Sequence, residues 1–186
     1  VAGTQVPIVP AAILFDLNNG GEKEWAQSPY PALGRQAFDD LSAEFQMGSV
    51  GAGCGATTGR LKGGLGSASF ILSNGIHVGA VMAVNAVGNA TGDDLRHFWA
   101  GPFEANSEFG GLGGPQAGPQ PHNFKLKNLG PLVEGENTTI GIVATDASLS
   151  KAAAKRLAIS AHDGVARALI PSHMPQDGDL IFAAAT

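Results

Sequence analysis

The chain has 186 residues, 44% of them hydrophobic and 15% charged, with a formal net charge of −5. That is enough apolar material for one domain with a core, and it excludes a disordered chain. With no lysine or arginine run, the acidic balance excludes nucleic acid and anionic membrane surfaces as partners. The one cysteine, Cys54, excludes an intrachain disulfide and suits a reducing compartment, so the expected location is cytoplasmic. No apolar run is long enough to span a bilayer and no signal peptide is visible. Val1 opens almost directly into an apolar run and Thr186 closes on one, as expected for one piece of a larger protein.

Val6-Pro7-Ile8-Val9-Pro10 followed by residues 11–17 predicts extended backbone feeding a buried strand, ended by a turn at Asn18-Asn19-Gly20-Gly21. Pro31 fits the first turn of a helix running to about Phe45, with Leu33, Ala37, Phe38, Leu41 and Phe45 on its inward face. Gly48 to Gly66 is a run of small residues with no helical period, suited to close backbone approach. Ser67–Leu72 and Ile76–Val87 predict two strands turning at Ser73-Asn74-Gly75. The second is apolar on both faces, which predicts cover on both sides, and Asn85 is a polar residue inside it.

From Gly101 to Glu136 the pattern dissolves, and Gly110 to Pro121 has the composition of a mobile surface segment. A structureless run of that length points to function or processing. It ends at Asn137-Thr138, where a β-branched strand begins. A helix from about Ser150 to Ile170 follows, capped by Ser148 or Ser150. Its inward face would be Ala154, Leu157, Ala158, Ala161, Val165, Ala168 and Leu169. Asp177-Gly178-Asp179 then turns into a last strand, 180–185.

On the strand pattern alone, Thr138 is most simply an ordinary threonine starting a strand. The alternative is chemical. Cleavage of the Asn137–Thr138 bond would expose an α-amine, with a pKa of roughly 7.7–8.0, on the same residue as the hydroxyl. Threonine with its own amine as base is a known nucleophile.

Residues 137–146, Lys62-Gly63-Gly64-Leu65-Gly66, 84–88, Asp177-Gly178-Asp179 with Phe182-Ala183, and 6–12 together resemble the L-aminopeptidase/D-esterase family. That family includes β-aminopeptidases and the nylon-oligomer (6-aminohexanoate) hydrolase. The resemblance spans nearly the whole chain. It implies an α+β fold, an α-β-β-α sandwich of the N-terminal-nucleophile type, present here as a fragment. It implies one domain, 1–186, divided into an α-subunit part, 1–137, whose residues 101–137 form a flexible leader, and a β-subunit part, 138–186. It assigns Thr138 as nucleophile and Asn137 as the residue whose carbonyl is attacked. Lys62 becomes a cation beside the nucleophile, and Asn85 a donor to the oxyanion. Asp177 and Asp179 become the acids that orient the network. An Asn-Thr junction is closer to the nylon-oligomer branch than to the serine-using aminopeptidases. The implied substrates are short peptides, β-peptides or 6-aminohexanoate oligomers, hydrolysed by a homo-oligomer of αβ units. Without the resemblance, Lys62 would be a solvated loop lysine, Asn85 a satisfied polar residue at a strand end, and the two aspartates a plain turn.

Other readings are weaker. Gly51 to Lys62 is glycine-rich, but Gly59 is followed by Arg60 and Leu61, so the phosphate-loop pattern fails. Cys54 lies among small apolar residues with no nearby histidine, as an inert buried thiol would. The five histidines lack metal-ligand spacing, so neither metal nor cofactor is expected. Acyl transfer on the same fold and a non-catalytic assembly subunit are the remaining alternatives. Truncating Asn85 to alanine is expected to leave folding intact and remove most activity.

Overall fold

The computed structural model describes residues 3, 9–120, 126–127 and 136–186. A single four-stranded sheet, in the order β1-β2-β3-β4, carries the chain: β1 Gly64–Ile71, β2 His77–Asn85, β3 Thr138–Thr145 and β4 Leu180–Ala185. The first two junctions are antiparallel and β3–β4 is parallel. Among the described residues the α-helices are α1, Tyr30–Asp39, and α2, Lys151–Ala168. The fold is therefore α+β.

The β1–β2 hairpin turns where Asn74-Gly75 predicts, with Gly75 at φ 85°. β1 begins three residues before Ser67, at Gly64, because the glycine run adds its own pairing: Gly64 opposes Val84, and Gly48 bridges Leu65. Close approach is real in this run. A Cβ on Gly63 would collide with the Val84 carbonyl oxygen, and one on Gly53 with the backbone of Gly64 and Leu65. Cys54, by contrast, is exposed, not buried, since this loop lies at the surface.

α2 starts as expected: the Ser150 hydroxyl accepts from the Ala153 N–H at 3.2 Å. Its predicted face packs on the sheet. Val165 and Leu169 join Ala86, Val143 and Ile181 in the core, with Val78, Met82, Val84, Leu157, Ala161 and Ala183 around them. Strand alternation sends Asn85, Thr138, Ile142 and Leu180 to the other face. That face lacks the cover expected from the two-sided apolar pattern of β2: Ile142 is 49% and Leu180 39% exposed.

Two other expectations fail. Residues 11–16 form no strand; Val6-Pro7-Ile8, before them, lie outside the described residues. Its last two carbonyls bond to side chains instead, Phe15 O accepting from Asn85 Nδ2 at 2.6 Å and Asp16 O from Lys23 Nζ at 2.8 Å. α1 stops at Asp39, six residues before Phe45, and buries nothing: Leu33 is 53%, Phe38 78% and Leu41 84% exposed. The segment from Gly101 to Pro119 is irregular but anchored, with Phe109 stacked on Phe98 at 4.7 Å. His122 and residues 128–135 lie outside the described residues.

Candidate active site

Thr138 opens β3, directly opposite Asn85, the last residue of β2. Residues opposed in an antiparallel pair share a face, with Cβ atoms about 4.5–5.5 Å apart. Both are buried, Thr138 to 3% and Asn85 to 0% exposure.

The Asp177-Gly178-Asp179 turn grips the junction from both sides. Asn137 bridges Asp177 in parallel register: its N–H donates to Gln176 O at 3.1 Å, and its carbonyl accepts from Gly178 N–H at 2.6 Å. One residue past Thr138, the Thr139 N–H donates to Asp179 Oδ1 at 2.8 Å. Asp177 braces the other side, accepting from Val87 N–H at 3.0 Å and Met174 N–H at 3.2 Å. Burial pushes the Asp177 carboxyl above its ordinary value; the Asp179 charge adds to this, and the Val87 N–H opposes it. Asp179 Oδ2 meets His173 Nδ1 at 2.7 Å.

Asn85 is a hub. Its Oδ1 accepts from Asn19 Nδ2 at 2.9 Å, Thr57 N–H at 3.1 Å and Lys127 Nζ at 3.0 Å. Its Nδ2 donates to Phe15 O at 2.6 Å. An amide nitrogen carries two protons, so one remains free of this contact. Burial lowers the Lys127 ammonium to about 8, against the pull of the Asp177 and Asp16 charges.

Lys62 is placed differently. Its backbone bridges Thr57, whose N–H reaches Asn85, but the side chain is exposed. It lines an apolar cavity of about 480 Å³ with Val84, Thr139, Val143 and Val165, on the α2 side of the sheet. Among the described contacts, nothing joins Lys62 to Thr138. A second cavity of about 440 Å³, lined by Thr91, Asp94, His97 and Trp99, holds none of the site residues assigned from the sequence. No group of His, Cys, Asp and Glu suited to a metal ion occurs among the described residues.

All of residues 1–186 match Peptidase family S58. The chain belongs to that family. An uncharacterized aminopeptidase of Mycobacterium tuberculosis is 43% identical over 182 residues, covering 97% of this chain and 51% of the relative. A 6-aminohexanoate-oligomer endohydrolase of Paenarthrobacter ureafaciens is 27% identical over 198 residues, covering 98% and 51%. This S58 chain thus spans about half the length of the curated relatives it matches. Among solved structures, a Burkholderia sp. β-aminopeptidase superposes with a TM-score of 0.51 at 25% identity, over 80% of this chain and 36% of that one. The L-aminopeptidase D-Ala-esterase/amidase of Ochrobactrum anthropi, described as a variant among the Ntn hydrolase fold, gives 0.51 at 25% identity, over 81% and 36%. The likeness in fold is thus to aminopeptidases, one of them described as a variant of the Ntn hydrolase fold.

Three groups in contact with the predicted site residues escape the sequence reading: Lys127, His173 and the Gly178 amide. Lys127 follows a proline-rich stretch with no pattern, His173 stands alone in a loop, and a backbone N–H leaves no mark in a sequence.

Proposed function

We propose that this chain carries the self-processing centre of an amide hydrolase whose nucleophile is Thr138. The observation that supports it best is the double grip on the junction. Gly178 N–H sits on the Asn137 carbonyl and Asp179 on the Thr139 N–H, with Thr138 held between them. Thr138 Oγ attacks the Asn137 carbonyl carbon as its proton passes to a base. The oxyanion that forms takes the hydrogen bond from Gly178 N–H. The C–N bond breaks, the amine is protonated, and an ester joins Asn137 to Thr138 Oγ. Water hydrolyses the ester, leaving a carboxylate on Asn137 and a free amine on Thr138.

Release also removes a local cost. Both side-chain polar atoms of Asn137 are buried with no hydrogen-bond partner among the described residues. Each such group is worth about 1–3 kcal/mol. Withdrawal of the new C-terminus at Asn137 exposes Thr138, which then attacks substrate amides with its own α-amine as base. The free proton of Asn85 Nδ2 serves the substrate oxyanion, and Lys127, bonded to Asn85 Oδ1, is the cation beside it. The substrates are short linear amides, meaning peptides, β-peptides or 6-aminohexanoate oligomers, and the working form is a homo-oligomer of αβ units.

Intact-mass analysis followed by an amide panel tests the reading. The expected result is two fragments meeting at Asn137/Thr138, and neither cleavage nor turnover in Thr138→Ala. A variant lacking the hydroxyl that still cuts itself removes Thr138 from the role. A wild-type chain that stays whole and inert supports a non-catalytic subunit.

A further inference from the structure

Asp179 Oδ1 takes the Thr139 N–H, and its second oxygen, Oδ2, would be free to swing were it not engaged by His173 Nδ1. The carboxylate is 5% exposed and the imidazole 35% exposed, so the contact is partly shielded from water. The ring is held from its other side. Nε2 lies 3.4 Å from the His162 carbonyl oxygen, and the His162 ring sits 4.9 Å away at 60°. A carboxylate is an acceptor, so the ring nitrogen facing it, Nδ1, is the donor of this contact. His173 adopts φ 54°, a left-handed backbone uncommon outside glycine, asparagine, aspartate and histidine. The chain thus holds an uncommon conformation at the residue whose ring engages Asp179 Oδ2. The His173 charge also acts favourably on Asp177, the second acid of the turn.

We propose that His173 is a positioning residue for the S58 centre. Its Nδ1–H fixes the rotation of the Asp179 carboxylate, and the fixed carboxylate sets Thr139 N–H and, through the backbone, the Thr138 hydroxyl. Asp179 without the ring leaves a buried oxygen unpaired and free to turn away from Thr139. His173 touches neither the junction nor a substrate; it acts through Asp179.

The inference rests on Thr138 as nucleophile. Its test therefore includes a readout that does not need activity. In the intact protein, His173→Gly accepts the left-handed backbone without the ring. His173→Asn accepts it and returns one N–H donor. The exchange rate of the Thr139 amide proton, the rate of self-cleavage, kcat and KM are measured on both. The expectation for His173→Gly is faster Thr139 exchange, and kcat and cleavage rates lower by roughly 10–100-fold. KM should stay within about threefold, as for a geometric defect in the reacting state. His173→Asn should recover most of these losses. Wild-type behaviour of the glycine variant, or equal loss in both, overturns the proposal. Should the glycine variant not fold, His173→Asn against the near-isosteric His173→Asp, which lacks the donor, decides in the same way. Activity surviving in Thr138→Ala would refute the nucleophile alone, while the Thr139 amide still reports on the clamp.

Discussion

Asn85, expected from the sequence to serve the oxyanion, has a structural task in the fold. Four hydrogen bonds converge on its side chain, tying residues 15 and 19, the Thr57 loop and Lys127 to the end of β2. Asn85→Ala therefore cannot be the clean catalytic knockout that the sequence suggests. It strands buried partners, at about 1–3 kcal/mol for each group left unsatisfied. The expected outcome is a thermal midpoint several degrees lower, about 2–4 °C per kcal/mol at this size, together with loss of turnover, measured by calorimetry beside an activity assay. An unchanged midpoint contradicts the hub. Lys127 makes a pH prediction. Its folded value, about 8, lies below its ordinary 10.5, so the unfolded chain binds more protons between those values. Stability from this group then rises with pH from about 8 to 10.5 and is flat below the folded value. Urea denaturation of wild type and Lys127→Met across that range checks it; the variant should lack the rise.

At the scale of elements, the glycine loop and the two-aspartate turn do the positioning. Gly63 N–H donates to Ala56 O at 2.9 Å and its α-carbon lies against the Val84 carbonyl, which leaves no room for a methyl group. Backbone on both sides cannot yield as a flexible side chain would. Gly63→Ala should therefore cost about 1–3 kcal/mol and shift the Thr57–Lys62 bridge, visible as a lower denaturation midpoint. Gly141 is the contrast: the atoms an added Cβ would meet first there are the far end of Met82, which can move, so Gly141→Ala should cost less. The parallel β3–β4 pairing matters as much. It carries the turn alongside the junction, so that its backbone and carboxylates reach residues 137 and 139.

For the whole molecule, one face of the sheet is packed by α2, and on the other the described residues cover Asn85 and Thr138 but leave Ile142 and Leu180, like the apolar side of α1, in contact with solvent. Exposed apolar surface on this scale is unusual for a self-sufficient monomer. The 186-residue chain made alone should bind a hydrophobic dye strongly at neutral pH, measured by fluorescence; weak binding would mean that these faces close against each other in solution. No described helix is long and apolar enough to cross a membrane.

The sequence by itself determined the local structure: the Asn74-Gly75 hairpin, the Ser150-capped helix with its apolar stripe, and the β-branched strand beginning at Thr138. Each is dictated by side chains within a few residues, through turn chemistry, capping and periodicity. It also named Thr138, Asn85, Asp177 and Asp179, which the fold gathers around one junction. Only the tertiary structure decided what residues distant in the chain do to one another. Residues 11–16 follow a strand pattern yet Phe15 and Asp16 give their carbonyls to Asn85 and Lys23, and α1 has an apolar face that the described residues leave exposed. Lys62 stands on the α2 side, while Lys127 reaches Asn85. These outcomes depend on which surfaces meet after the sheet has formed, and a pattern of neighbours along the chain does not contain that information.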